Sequence, residues 1–466
     1  MNKKNVILVS ALAVFAAALG ALYLFVLNKQ KQPEEEKKPD YYTIREINTE
    51  SIDRITLKTE GFDGGFRLKD GTWINEEDES FPVKQETMNL MVSIVLAHLN
   101  AFEKVENPPA SEDFGFTNPS AVLTAYAGSN SLLTLKIGKA IPTRDRYYAM
   151  VDGDESIYIV SDNYYKYIVK DRTDFLVDIN MPAIEDRDLL REISVSGEGI
   201  TPFHVVYDAA NPYDYSENGM YGWYFEAPFT SCVNANIYDD AWFEKLEYFT
   251  FVSYDKLVAY RPGSYGKYGL DNPWATIYVR YADKYGREDY SYKLFLGNKA
   301  EDGSYYARLE SLEWVFLIGA DKVALRTETD AFSLCYKTVF FPKDSALDSI
   351  KITAGSKTWD FVNTHADSDI AVYTLNDRKL SDSELSKLGN EILTLKYSGM
   401  APEDATGDVI MTINTSVADK QKLKDLEIEF HKYTDSVHLV TVNGITEFTM
   451  DVRQVDAFLA WLETMK

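Results

Sequence analysis

One tyrosine-rich stretch carries the residues best suited to molecular recognition. Five aromatic residues stand close together in it: Tyr213, Tyr215, Tyr221, Trp223 and Tyr224. Tyrosine and tryptophan offer a partner a large contact area with a polar tip, and extended loops are a common place for binding function. We predict these five residues as partner or ligand contacts. The interpretations that stay open are structural elaboration of a hairpin, a protein-contact loop and a sugar-binding platform.

Residues suited to catalysis or metal binding are scarce. The two cysteines, Cys232 and Cys335, and the five histidines never stand at metal-ligand spacing. The chain has no phosphate-binding glycine loop, no GxSxG and no HExxH motif. We therefore predict no catalytic residue, no cofactor and no metal site. We expect the cysteines to be two buried thiols, with a disulfide between them as the alternative.

The composition excludes one class of partner and predicts a folded body. Lys and Arg number 48 against 73 Asp and Glu, a formal net charge of -25. Nucleic-acid binding needs clustered positive charge, so we predict no nucleic-acid partner. Apolar residues make up 45% of the 466 residues, which is enough to bury a core.

An apolar segment near the N-terminus predicts a membrane anchor. Residues 6–27 contain no charged side chain and would span about 33 Å as a helix, against a hydrocarbon core of about 30 Å. A cleaved signal peptide is the alternative, although its apolar region is usually about 7–15 residues long. We predict an anchor over residues 1–28 and a charged tether over residues 29–45. The location is then the cell membrane, with the bulk of the chain extracytoplasmic.

The rest of the chain predicts three copies of one unit. Two copies share motifs in the same order at offsets of 154 to 159 residues. The shared motifs are the turns Asp113–Pro119 and Lys267–Pro273, the glycine turns at Gly138 and Gly297, and the Tyr-Tyr-Ala segments after Arg146 and Ser304. The predicted units are residues 46–185, 186–343 and 344–466, the last of them degenerate.

Periodicity predicts both strands and helices in each unit. Asp70-Gly71 predicts a hairpin turn, and Ser381–Glu384 is a capping box that begins a helix. Tyrosines such as Tyr290 and Tyr292 stand in alternating runs, where sheet packing explains them. The predicted fold class is α+β: an N-terminal transmembrane helix followed by three tandem repeats of antiparallel sheet plus helices.

The repeated turns and strands resemble those of the DUF4340 family. The resemblance rests on the Tyr/Phe-Gly-Leu/Phe-x-Asn-Pro turn, the strand after it, the Leu/Ile-Gly turn and the Tyr-Tyr-Ala strand. It covers most of residues 50–340 and the third copy only loosely. It implies a bacterial, membrane-anchored protein without an assigned activity, often found with an ABC-type transporter related to the gliding-motility system.

The anchor, the tether and the repeated units favour a non-enzymatic accessory or scaffold protein of an ABC-type export or envelope system. Its partners would be the membrane, through residues 6–27, and an ABC permease and ATPase complex. The alternative is an extracytoplasmic carbohydrate- or peptide-binding protein of the cell envelope. An envelope hydrolase with a carboxylate pair is a third hypothesis. The sequence does not identify a small-molecule ligand.

Overall fold

The computed structural model describes residues 41–108, 113–142, 145–209, 211, 222–234, 241–340, 346–365, 371–418 and 423–465. These residues divide after Asp178 into two compact units. The predicted anchor over residues 1–28 and most of the predicted tether lie outside the described residues. Within the described part of the chain, no helix is long and apolar enough to cross a membrane.

Among the described residues, the first unit has ten strands, and eight of them form one antiparallel sheet. Its strands are β1 (Tyr42–Thr43), β2 (Arg54–Thr59), β3 (Asp63–Lys69), β4 (Thr72–Asn75), β5 (Asn100–Ala101), β6 (Glu103–Val105), β7 (Ala121–Ala127), β8 (Asn130–Ala140), β9 (Arg146–Val151) and β10 (Ile157–Ser161). Its helices are α1 (Gln85–Leu90), which continues as a π-helix over Met91–Leu96, and α2 (Asp162–Ile168). The strand order is β4-β3-β2-β7-β8-β9-β10-β6, while β1 and β5 form a separate pair.

The hairpin between β3 and β4 follows from the two residues at its tip. Asp70 and Gly71 both have positive φ, 51° and 79°, which is the backbone that a two-residue antiparallel turn requires. Lys69 then pairs with Thr72 across the turn. The predicted hairpin is confirmed.

The second unit holds two nine-stranded antiparallel sheets. The second sheet has strands β11 (Leu190–Gly197), β12 (Phe203–Tyr207), β13 (Trp223–Ala227), β14 (Ser231–Cys232), β15 (Lys256–Tyr260), β16 (Ala275–Ala282), β17 (Asp289–Lys299), β18 (Tyr305–Leu309) and β19 (Trp314–Ile318). The third has β20 (Leu347–Ala354), β21 (Lys357–Asn363), β22 (Tyr373–Leu375), β23 (Arg378–Lys379), β24 (Tyr397–Met400), β25 (Asp408–Val417), β26 (Leu426–Lys432), β27 (Val437–Val442) and β28 (Ile445–Asp451). The helices are α3 (Ala241–Thr250), α4 (Ala320–Thr327), α5 (Ala331–Leu334), α6 (Asp382–Ile392) and α7 (Val452–Leu462).

The predicted fold class is wrong. The described residues are mostly antiparallel sheet, with 44% in strands and 20% in helices, and the strands form four sheets. The two nine-stranded sheets share a strand order, β14-β13-β12-β11-β16-β17-β18-β19-β15 and β23-β22-β21-β20-β25-β26-β27-β28-β24. Their helices are short, at most 11 residues among the described residues, and differ in length. The sheets are therefore not tandem copies of a sheet-plus-helix unit, because strand pairing rather than a repeated helix layer organises each one.

The shared sequence motifs meet each other in space. In the first sheet the Lys139 amide donates to the Phe114 carbonyl at 2.9 Å. A Cβ added at Gly138 would lie 2.2 Å from that carbonyl oxygen, and one added at Gly297 would lie 2.1 Å from the Tyr268 oxygen. Both glycines stand where the strand register shifts. The motifs therefore mark a bulge on which a turn rests, and glycine is required because the backbones touch.

A buried lysine joins two helices of the second unit. Lys245 of α3 is 9% exposed, and its Nζ donates to the Leu325 carbonyl in the last turn of α4 at 2.6 Å. Burial, with a smaller contribution from the nearby Arg326 guanidinium, lowers the pKa of Lys245 to about 8. The charged lysine is therefore less favourable in the folded chain than in water.

We expect this lysine to make the stability of the second unit rise with pH. The unfolded chain binds more protons than the folded one between pH 8 and the ordinary lysine pKa of 10.5. Relative to Lys245→Met, the wild-type free energy of unfolding should therefore gain about 3 kcal/mol across that range. Urea unfolding followed by tryptophan fluorescence measures it, since only Trp73 lies outside this unit. The exposed-lysine variant Lys351→Met should keep the wild-type slope, and parallel curves for wild type and Lys245→Met would contradict the expectation.

Candidate functional site

The structure places the five predicted contact residues in different settings. Tyr213, Tyr215 and Tyr221 lie outside the described residues. Trp223 is buried, at 7% exposure, and its ring lies 5.3 Å from the Trp242 ring in an edge-on arrangement. Tyr224 is half-buried in β13 and pairs with Cys232 of β14. Trp223 therefore belongs to the packing of the second sheet, and Tyr224 stays a predicted contact.

Among the described residues of the second unit, the most exposed aromatic side chain is Tyr285. It lies on residues 281–290, which we call the Tyr hairpin. This hairpin joins β16 to β17. Tyr285 at its tip is 63% exposed and Tyr290 is 46% exposed. The Tyr281 and Tyr290 rings stand opposite each other across the strands, with centroids 5.8 Å apart. The expectation that Tyr290 packs into the sheet is corrected, because the first three residues of β17, Asp289, Tyr290 and Ser291, are all exposed.

The tip of the Tyr hairpin is held by one carboxylate. Asp283 Oδ1 accepts the backbone amides of Tyr285 at 3.1 Å and of Arg287 at 2.7 Å. The Asp283 amide donates to the Glu288 carbonyl at 2.8 Å, and Gly286 supplies the positive φ of 65°. The exposed ring of Tyr285 is therefore presented on an ordered turn rather than on a loose loop.

Charges surround the exposed rings. The Lys284 ammonium and the Arg287 guanidinium lie 5.2 Å and 4.7 Å from the Tyr285 ring centroid. Tyr290 Oη donates to a Glu288 carboxylate oxygen at 2.8 Å, and that carboxylate raises the pKa of Tyr290. On the strands that lead to the tip, the Arg280 guanidinium of β16 pairs with the Asp289 carboxylate of β17 at 2.8 Å. The tip thus offers an aromatic face with cations beside it, although the whole chain is acidic.

A groove of about 260 Å³ runs beside the Tyr hairpin. One wall comes from the segment before β11, with Ala183, Ile184 and Leu189, and the other contains Tyr281 and Tyr290. Ligand pockets for drug-sized molecules are larger, about 300–1,000 Å³. The groove therefore suits one side chain of a peptide or one sugar ring.

The cysteines are not placed for nucleophilic chemistry. Cys232 and Cys335 are both buried thiols, as predicted. Burial raises the pKa of the Cys335 thiol to about 11, so the reactive thiolate is scarce near neutral pH. Across the described ranges, no group of three or more His, Cys, Asp and Glu side chains is arranged to hold a metal ion.

The family comparison decides where this chain belongs. The model of the family described as "Domain of unknown function (DUF4340)" matches residues 73–199 and 233–428. The chain belongs to the DUF4340 family. No curated protein and no solved structure matches it. In this DUF4340 chain, the first matched range contains Gly138 and the turn that rests on it. The second contains Gly297 with its turn, and also the Tyr hairpin.

Sequence reasoning missed the Tyr hairpin as a surface of the DUF4340 chain. The segment DKYGRED between two alternating runs holds the available signal, because a tyrosine inside a charged turn cannot reach a core. The alternating residues on either side of this segment were the stronger pattern, and they predicted that the tyrosines there pack into the sheet. Exposure at a strand end depends on how far neighbouring elements extend, which alternation alone does not report.

Proposed function

We propose that this protein is a non-enzymatic, membrane-anchored accessory or scaffold protein of an ABC-type export or envelope system. In this proposal residues 6–27 hold the chain in the cell membrane, and the bulk of it lies on the extracytoplasmic side. The uncharged, helix-length run of residues 6–27 supports the anchor. The partner is an ABC permease and ATPase complex.

The observation that carries the proposal is the Tyr hairpin. Tyrosine and arginine are the residue types that contribute most at protein interfaces, and both stand at its exposed tip as Tyr285 and Arg287. Because Asp283 fixes the turn, binding would cost little ordering of the loop. A fixed, exposed aromatic turn is typical of a contact surface for another protein.

Capture from membranes tests this contact. Full-length protein is crosslinked briefly, solubilised gently, purified and identified with its partners by mass spectrometry. We expect the permease and ATPase to accompany the wild type. Their recovery should fall at least about tenfold in a double variant, Tyr285→Ala with Tyr290→Ala, since the two side chains together would contribute at least about 1.4 kcal/mol.

The matched control is Tyr433→Ala. Tyr433 is 40% exposed and lies in the turn between β26 and β27, outside the Tyr hairpin. It should leave recovery unchanged. Equal recovery from the wild type and the double variant would argue against the hairpin as the contact, and absence of any transporter subunit would argue against the accessory role.

The groove beside the hairpin favours a second candidate, an extracytoplasmic carbohydrate- or peptide-binding protein. Tyr281 and Tyr290 present two aromatic rings next to a space that fits one sugar ring or one side chain. Under this candidate the purified protein retains cell-wall glycan or peptide after capture, without transporter subunits. Tyr290→Ala should then abolish that retention.

A further inference from the structure

A small cavity lies where the second and third sheets meet inside the second unit. The chain between α5 and β20 bridges the two sheets: the Tyr336 amide donates to the Cys232 carbonyl at 2.8 Å, and the Tyr397 amide donates to the Lys337 carbonyl at 2.7 Å. The cavity measures about 100 Å³. Exposed Asn443 and Ile445 stand at its rim, so it opens to solvent.

Among the residues that the structure describes, the cavity is lined by one carboxylate and by no cation. Glu447 of β28 accepts the Thr230 amide with both oxygens, at 3.1 and 3.2 Å. None of the twelve described residues that line the cavity is a lysine or an arginine. Burial raises the pKa of Glu447, which means that its surroundings stabilise the negative charge less well than water does. A positively charged ligand would compensate the negative charge of the Glu447 carboxylate.

A buried phenol completes the polar lining. Tyr397 is 7% exposed and stacks on Phe448, with ring centroids 3.9 Å apart. Among the described residues, Tyr397 Oη has no hydrogen-bond partner. Because Tyr397 lines the cavity, its hydroxyl is available to a ligand there. Thr338, 6% exposed, adds a second hydroxyl to the lining.

We propose that the cavity binds a small organic ammonium ion. Glu447 would pair with the positive charge, the Tyr397 hydroxyl and ring would contact the ammonium group, and Val339 and Ile445 would cover the alkyl part. An apolar cavity of about 150 Å³ holds benzene, so about 100 Å³ holds a ligand of three to five heavy atoms. A single carboxylate is too few ligands for a divalent metal ion, and Glu447 repels anions. This inference is independent of the proposed partner contact.

Saturation-transfer NMR of ethylammonium with the full-length protein in detergent micelles tests the site. A ligand of three heavy atoms reaches at best a Kd of about 1 mM. We expect saturable binding in that range, weakened at least tenfold by Glu447→Gln and about threefold by Tyr397→Phe. Ethanol, a neutral ligand of the same size, should not compete, nor should potassium chloride at equal ionic strength.

The matched control is Glu427→Gln, an exposed acid on β26 of the same sheet. It should bind ethylammonium as the wild type does. Glu447→Gln keeps an oxygen to accept the Thr230 amide and should fold, and Tyr397→Phe provides a second variant if it does not. Unchanged binding in both variants, competition by ethanol, or no saturable signal would each overturn the proposal.

Discussion

Gly297→Ala is expected to destabilise the second unit by on the order of 3 kcal/mol. The new Cβ would lie 2.1 Å from the Tyr268 carbonyl oxygen and 3.0 Å from Leu270. Neither neighbour can retreat, because Tyr268 and Leu270 are buried in one cluster with Val315. The turn must therefore lift off the β17 bulge, and its packing is lost.

Native-state hydrogen exchange of full-length protein, resolved on peptides by mass spectrometry, measures the effect. Exchange in β16, β17 and β18 should accelerate about a hundredfold in Gly297→Ala. Gly389→Ala is the control, and its expected effect on stability has the opposite sign. Gly389 lies within α6 and an added Cβ there meets nothing within 4 Å, so alanine should stabilise that helix by about 1 kcal/mol. Unchanged exchange in Gly297→Ala would mean that the turn is not held by the close approach.

Phe448→Ala should cost about 4 kcal/mol in the free energy of unfolding of the second unit. Phe448 is fully buried. Its ring centroid lies 3.9 Å from that of Tyr397 and 4.9 Å from that of Phe229, which lies between β13 and β14 of the second sheet. The substitution therefore opens a void between the two sheets as well as losing the buried ring.

Urea unfolding followed by tryptophan fluorescence reports this loss. Ile445→Ala is the matched control on the same strand, because Ile445 is 57% exposed, and it should change stability by less than about 0.5 kcal/mol. Similar losses in the two variants would show that Phe448 contributes no more than a surface residue does.

Local features were predictable from the sequence because their causes are local. Asp70-Gly71 predicts its hairpin since few residue pairs tolerate positive φ at both positions. Ser381 and Glu384 predict the start of α6 since each side chain pairs with the other's backbone amide, and both bonds are present. The family motifs were equally readable, because turn residues keep a fixed spacing along the chain.

The fold class was predicted wrongly because helical periodicity does not give helix length. Apolar residues from residue 85 to 104 stand at helical spacing and predict one helix over this stretch. In the structure α1 ends at Leu90, a π-helical turn follows, and β5 begins at Asn100. Part of such a segment can form strands instead of helix where other strands offer pairing partners. Tertiary contacts decide which of the two structures forms.

The sequence by itself determined the turns, the family and the burial of both cysteines, all of which depend on residue type and near neighbours. Only the tertiary structure decided that Trp223 is core and Tyr285 is surface, since both are aromatic residues at or near the end of a strand. It also decided that Glu447 meets Thr230, 217 residues away in the chain. No periodicity connects two positions so far apart, because their contact arises from how two sheets pack rather than from either strand alone.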